Sequence, residues 1–311
     1  MGILKTSELM ILRQVFEGYT TVKDISKTSK LSQSRVSVLV NELQYKEFLN
    51  IKRIRRKKIV EFYFSKHAEN IRRLFSSNIP VEKILAGGKL DILFSIHKNF
   101  KNINEIREET CLEKETIRKY LRELSYLGVV EKKDKRYKLA YHPLLYEFLS
   151  DYSSYANKRI VREYDESAII LWEEGRRFIF KTENRLKIDR YIKPTAFTAM
   201  SKYKIDIISK YYYYYYSPCA GELRVEDIAL HSIVVDKESS RNLIYAMLLL
   251  KKAGFDEEYL IKASSIYGAK TIAKNMIEYL RTGKTVERIY GRRFPNIKEF
   301  KEIASEYGVE V

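Results

Sequence analysis

Apolar residues in the N-terminal half recur at helical spacing, and the pattern occurs twice. Leu9, Leu12, Val15 and Phe16 fall on one face of a first helix that Gly18 stops. Residues 22–28 form a short second helix, and Leu31 packs in the following turn. Ser32 caps a third helix whose buried face carries Val36, Leu39, Val40 and Leu43. A strand pair follows, in which Ile51, Ile54, Ile59 and Phe62 alternate with basic residues. At an offset of 81, the step from Leu31 to Leu112, the order repeats without a gap. Asp24-Ile25 aligns with Glu105-Ile106, Val36 with Ile117, Glu42-Leu43 with Glu123-Leu124, and Phe48-Leu49 with Val129-Val130. Ile11-Leu12 aligns with Ile92-Leu93. The second strand pair covers 129–133 and 136–141, turning at Lys133-Asp134-Lys135.

Ile71, Leu74 and Phe75 place a connecting helix in the linker 67–86, and Gly87-Gly88 marks the second boundary. Leu144, Leu145, Phe148 and Leu149 start a long helix over 142–161. Beyond it the pattern predicts a hairpin, 167–172 and 176–181, then strands at 205–209, 211–216 and 231–235. Helices are predicted over 243–252, 256–267, 269–281 and 296–307. The fold class expected is α+β: two tandem helix-turn-helix units with basic wings, then a C-terminal α+β domain ending in helices. The domain limits are 1–66, a linker helix 67–86, 87–141, a connecting helix 142–163, and 164–311.

Charge gives this organisation a partner. The chain of 311 residues carries a formal net charge of +17. Residues 1–150 hold 30 Lys and Arg against 18 Asp and Glu, and the remainder holds 28 against 23, so the excess sits with the repeats. A polyanion is the partner this implies. Six of the seven residues from Lys52 to Lys58 are basic: Lys52, Arg53, Arg55, Arg56, Lys57 and Lys58. Such a run releases condensed counterions on meeting a duplex. Ser32, Gln33, Ser34, Arg35 and Ser37 open the first unit's third helix. Gln33 and Arg35 have the donor geometry that reads adenine and guanine edges, while short hydroxyls approach phosphates. In the second unit the corresponding cations and hydroxyl are Lys114, Thr116, Arg118, Lys119, Lys132, Lys133, Lys135 and Arg136, with Glu113 and Glu115 opposing them.

Ser32-Gln33-Ser34-Arg35-Val36 entering the third helix, Asn41-Glu42-Leu43 ending it, and the basic hairpin resemble the winged helix-turn-helix of MarR- and ArsR-like bacterial and archaeal regulators, over 5–66 and 87–141. The resemblance implies a third helix in the major groove and a wing on the backbone or minor groove. Residues 241–252, 255–267 and 269–280 weakly resemble the C-terminal part of AbiE-type antitoxins. The function these features imply is sequence-specific binding of double-stranded DNA in transcription regulation. The alternatives are an antitoxin that autoregulates its operon and neutralises a nucleotidyltransferase-like toxin, or an RNA-binding protein. Besides duplex DNA, a homodimer partner and a toxin-like protein partner for the C-terminal domain are the candidates.

Enzyme signatures are missing from the sequence: it has no phosphate-binding Gly-rich loop, no GxSxG and no HExxH. No catalytic residue, cofactor or metal is therefore expected, and the four scattered histidines agree. No apolar stretch is long enough for a membrane span, and the first dozen residues suit a helix rather than a secretory leader. Cys111 and Cys219 share no ligand spacing and are expected to be free buried thiols, hence a cytoplasmic setting. Abundant Lys, Glu, Ile and Tyr with three Gln suggest a thermophilic source. Residues 211–216 are all tyrosine, and one face of that strand is expected in the core with the other at solvent or an interface. Trp172 is expected in the core, and Gly291-Arg292-Arg293-Phe294 is expected to be plain surface.

If the first wing contacts phosphates, replacing Arg53, Arg55 and Arg56 by Ala weakens all duplexes alike. Each lost contact lowers the log–log salt slope by about 0.9. An unchanged slope in a salt titration means that the hairpin is merely solvated.

Overall fold

The computed structural model describes residues 4–54, 57–219, 221–284 and 294–310, without the side chains of Ile54 and Lys57. Arg55, Arg56 and Gly291-Arg292-Arg293 lie outside the described residues. The fold is α+β and divides into two compact units. One holds the chain to Ile160 with Glu174–Arg176; the other holds Val161–Glu173 and the chain from Arg177 onward.

The first unit contains the repeats. Helices α1 (Thr6–Phe16), α2 (Val22–Ser29) and α3 (Gln33–Tyr45) precede the antiparallel strands β1 (Leu49–Ile54) and β2 (Lys57–Phe62). Then come α4 (Lys66–Phe75) and α5 (Val81–Ile84). The second repeat runs α6 (Gly88–Ile96), α7 (Ile103–Thr110), α8 (Lys114–Tyr126), β3 (Val130–Lys133), β4 (Arg136–Leu139) and α9 (Pro143–Tyr164). One continuous core runs through both, from Leu4 to Tyr152.

The repetition extends to backbone detail. The α2 and α7 helices each end on a residue in the left-handed region, Lys30 and Cys111, both at φ 58°. Caps sit at aligned positions too, Thr21 accepting from the Asp24 amide and Asn102 from the Glu105 amide. After the third helix, Glu47 takes φ 55° where the second repeat has Gly128, the residue that meets this backbone at least cost. Past this point the register changes. Strands β1 and β2 have 6 residues each and β3 and β4 have 4, so the fourth helices stand 77 residues apart instead of 81. Their caps follow the new offset: Ser65 accepts from the Ala68 amide, and His142 Nδ1 from the Leu145 amide.

The second unit is built on a four-stranded sheet in the order β5-β6-β8-β7: β5 (Ile169–Glu174), β6 (Arg177–Thr182), β7 (Ile192–Pro194) and β8 (Tyr212–Tyr216). A short α10 (Ala196–Met200) lies between β7 and β8. Five helices follow: α11 (Val225–Val235), α12 (Ser240–Ala253), α13 (Glu257–Ser264), α14 (Lys270–Thr282) and α15 (Ile297–Glu306). Their apolar faces make a second core with Leu243, Met247, Met276, Phe294 and Phe300.

Several expectations are corrected here. Residues 231–235 belong to α11, not to a strand. This helix is buried nearly all round, and an apolar run with that exposure has no period that separates helix from strand. Residues 205–209 join no sheet among the described residues. The tyrosine strand has no solvent face beyond its first residue, since Tyr213, Tyr214, Tyr215 and Tyr216 are all buried. The reason is topological: β8 lies between β6 and β7, with its rings stacked on Phe178 and Phe180 at 4.7 and 5.5 Å. Trp172 is half-buried against Tyr267. Neither cysteine is free: both are disulfide-bonded, and Cys111 is exposed. A lone cysteine carries no local signal of its oxidation state, because geometry decides it. No helix among the described residues is long and apolar enough to cross a membrane.

Three histidines are buried and held neutral. Desolvation lowers His67 and His97 to about 4 and His231 to about 3, from an ordinary 6.5. His231 is bonded on both ring nitrogens, to Thr195 Oγ1 and to the Tyr267 hydroxyl, each at 2.6 Å. Their folded pKa values lie below the unfolded ones, so their contribution is complete above pH 6.5 and is lost as pH falls. Each withdraws up to ~1.4 kcal/mol per pH unit. Asp91, raised to about 6 by burial, opposes this as a single group. The urea midpoint therefore falls between pH 7.5 and pH 5, and an unchanged midpoint refutes this account.

Candidate nucleic-acid interface

The α3 helix exposes one stripe because its other face is spent on the core. Val36, Leu39, Val40 and Leu43 point inward. Ser32, Gln33, Ser34 and Arg35 are exposed and Ser37 half-buried. Ser32 Oγ accepts from the Arg35 amide, so the cap is a structural contact as well as a polar surface. The stripe continues through Val38, Asn41 and Tyr45, which the sequence reading did not place at the site. Val38 is the missed signal. It is 47% exposed on a helix otherwise patterned for burial, and an apolar contact of that kind suits a thymine methyl.

The aligned stripe on α8 is Glu115, Lys119, Arg122 and Tyr126, all exposed. Lys114 and Arg118 are exposed beside it, and Thr116 is half-buried. Arg118 is paired with Glu115 one turn earlier, which ties down one of the cations. Glu113 holds the N-cap position without a side-chain cap bond. A carboxylate near the end of each stripe helix is neutralised from outside. Lys5 lies 2.9 Å from Glu42 and Lys89 lies 2.6 Å from Glu123; the two glutamates are aligned, and the lysines come from different positions of the repeat. The lysine hydrogen bond holds each of these carboxyls below its ordinary range.

The hairpins flank the stripes. On β1–β2, Lys52 faces Glu61 at 2.5 Å, while Arg53 and Lys58 are exposed and pair directly in the register. Of the candidate wing residues, Arg55, Arg56 and the Lys57 side chain are not among those described. On β3–β4, Lys132, Lys133, Lys135 and Arg136 are exposed. Arg136 is bound to Glu105 at 3.0 Å, and Lys132 lies over the Tyr137 ring. Arg35, Arg53, Lys58, Lys114, Lys119, Arg122, Lys132, Lys133 and Lys135 make no ion pair among the described residues. They are the cations available to a polyanion. In the tyrosine tract only Tyr211 and Tyr212 lack burial, and Tyr211 lies under the Lys181 ammonium at 4.4 Å.

Comparison with known proteins reaches the other unit. A family model described as HVO_2833_C, C-terminal, matches residues 190–309, the stretch from just before β7 to just past α15. No curated protein and no solved structure matches the chain.

Removing the Glu115 carboxylate deletes a phosphate-repelling charge and frees Arg118. Glu115→Ala therefore tightens binding to random-sequence duplex and steepens the salt slope by about 0.9. A variant with unchanged slope means that α8 does not face the polyanion.

Proposed function

We propose that the chain is a sequence-specific double-stranded-DNA-binding transcriptional regulator in which each repeat is a winged helix-turn-helix, and that it is not an enzyme. The observation that carries this is the pair of aligned, exposed stripes on α3 and α8, each flanked by a basic hairpin. The third helix presents side chains of base-reading type: Gln33, Arg35, Val38 and Asn41. The wings supply phosphate contacts that position the helix without reading sequence. The two repeats differ in their share of the work. At three aligned positions α3 carries the neutral Ser34, Val38 and Asn41 where α8 carries the charges Glu115, Lys119 and Arg122, while Arg35 of α3 aligns with the neutral Thr116. The first repeat is the specific reader and the second mainly an electrostatic anchor. The C-terminal unit serves as the effector or protein-interaction part.

A cytoplasmic location is part of this proposal. The disulfide state of both cysteines does not argue against it where the source is hyperthermophilic, since intracellular proteins of such organisms are disulfide-rich.

Arg35→Ala is the test. On the cognate site it costs roughly 1–3 kcal/mol, with much less lost on a scrambled duplex. Thr116→Ala, at the aligned position, costs less, as Thr116 has no bidentate fork. Equal losses on both duplexes make Arg35 a phosphate clamp, and tighter binding to structured RNA than to duplex at equal salt overturns the reading.

A further inference from the structure

The fourth helices show how the two stripes are arranged. α4 and the first half of α9 run antiparallel. Asn70 Nδ2 donates to Asp151 Oδ2 at 2.8 Å, and Arg73 Nη1 to Glu147 Oε2 at 2.8 Å. The His67 ring lies 5.5 Å from Tyr152 and 4.2 Å from Tyr155. Position numbers therefore rise along α4 as they fall along α9. Between the two hydrogen-bonded pairs lie Ile71 and Arg72 on one helix, and on the other Ser150 together with Phe148 and Leu149, the counterparts of Ile71 and Arg72. At the offset of 77 set by the shorter second hairpin, these are the same positions of the repeat. Two equivalent helices that cross antiparallel at equivalent residues are related by a two-fold rotation, the geometry of an isologous contact.

Each of these helices is also fixed to its own repeat in the same way. Arg13 on α1 stacks over Phe75 on α4 at 4.4 Å, and the aligned pair, Phe94 on α6 and Tyr152 on α9, meets at 6.0 Å. The hairpin exit is shared as well: the Tyr63 amide donates to the Phe48 carbonyl, and the Ala140 amide to the Val129 carbonyl, both at 2.9 Å. The rotation relating α4 to α9 therefore carries α3 and β1–β2 onto α8 and β3–β4.

We infer that the two repeats form a fused dimer about a pseudo-two-fold axis through α4 and α9, so that a single chain spans one duplex site made of two inverted, unlike half-sites. This rests on the DNA-binding function proposed above. A dyad-related pair of recognition helices matches the local symmetry of an inverted repeat. The inequality of the halves follows from the stripes, Ser34, Val38 and Asn41 facing one half and Glu115, Lys119 and Arg122 the other. No second copy of the chain is needed to complete such a site.

The test selects duplexes from a random library with the full chain. The selected duplex is then weighed in complex and footprinted. The expected complex contains one chain per duplex. Two protected patches lie on one face, about one helical turn apart. The recovered halves are inverted, one of them more tightly defined. Arg35→Ala erases base preference in that half alone and lowers affinity for the selected duplex at least ~5-fold. Two chains per duplex, direct-repeat halves or a single protected patch overturn this inference while leaving the DNA-binding reading intact. Failure to retain any duplex overturns both.

Discussion

An amphipathic helix that packs against its own repeat and against the other one is the constraint on which the N-terminal unit depends. The α4 helix buries Ala68, Ile71, Leu74 and Phe75. Its counterpart α9 adds Phe148 and Tyr152 to the same cluster, and the result is one core instead of two. Domains this small gain little from separate cores, because the buried fraction of surface falls with size. The ordering of the two stripes relative to each other is thus a by-product of hydrophobic closure between α4 and α9.

Much of the first unit was legible because two copies testify to the same pattern. A degenerate run of Leu31, Val36 and Leu43 means little once, but its recurrence as Leu112, Ile117 and Leu124 separates core from surface. The candidate cations could be read because charge on a half-buried helix has one face to occupy. Val38 and Asn41 were passed over although the buried face of Val36, Leu39, Val40 and Leu43 leaves both on the opposite side of the helix, because apolar character at Val38 reads first as core. The pseudo-symmetry was hidden by the hairpin, whose four-residue difference breaks the alignment just before the helices that reveal it.

The second unit was read less well for a related reason. Its helices α12 to α15 have amphipathic faces and were foreseen near their observed limits. Elements buried on two sides lose periodicity, and α11 and β8 are both of this kind. In α11 the Asp227 carboxylate accepts from the Arg224 amide at its start, a local cue that the β-branched residues Ile233, Val234 and Val235 outweighed in the sequence. The chemistry of His231 was equally invisible, because Thr195 and Tyr267 reach it from elements distant in the chain.

The unequal hairpins carry a consequence of their own. Two extra residues per strand lengthen β1–β2 over β3–β4 by about 7 Å, roughly two base-pair steps of duplex. An assembly of identical subunits cannot have one long arm and one short arm, since every substitution appears in both. A chain that carries both copies can, and its mutations fall on one side at a time. Such a molecule has a front and a back along whatever rod it grips, so it distinguishes upstream from downstream even where the rod itself is symmetric.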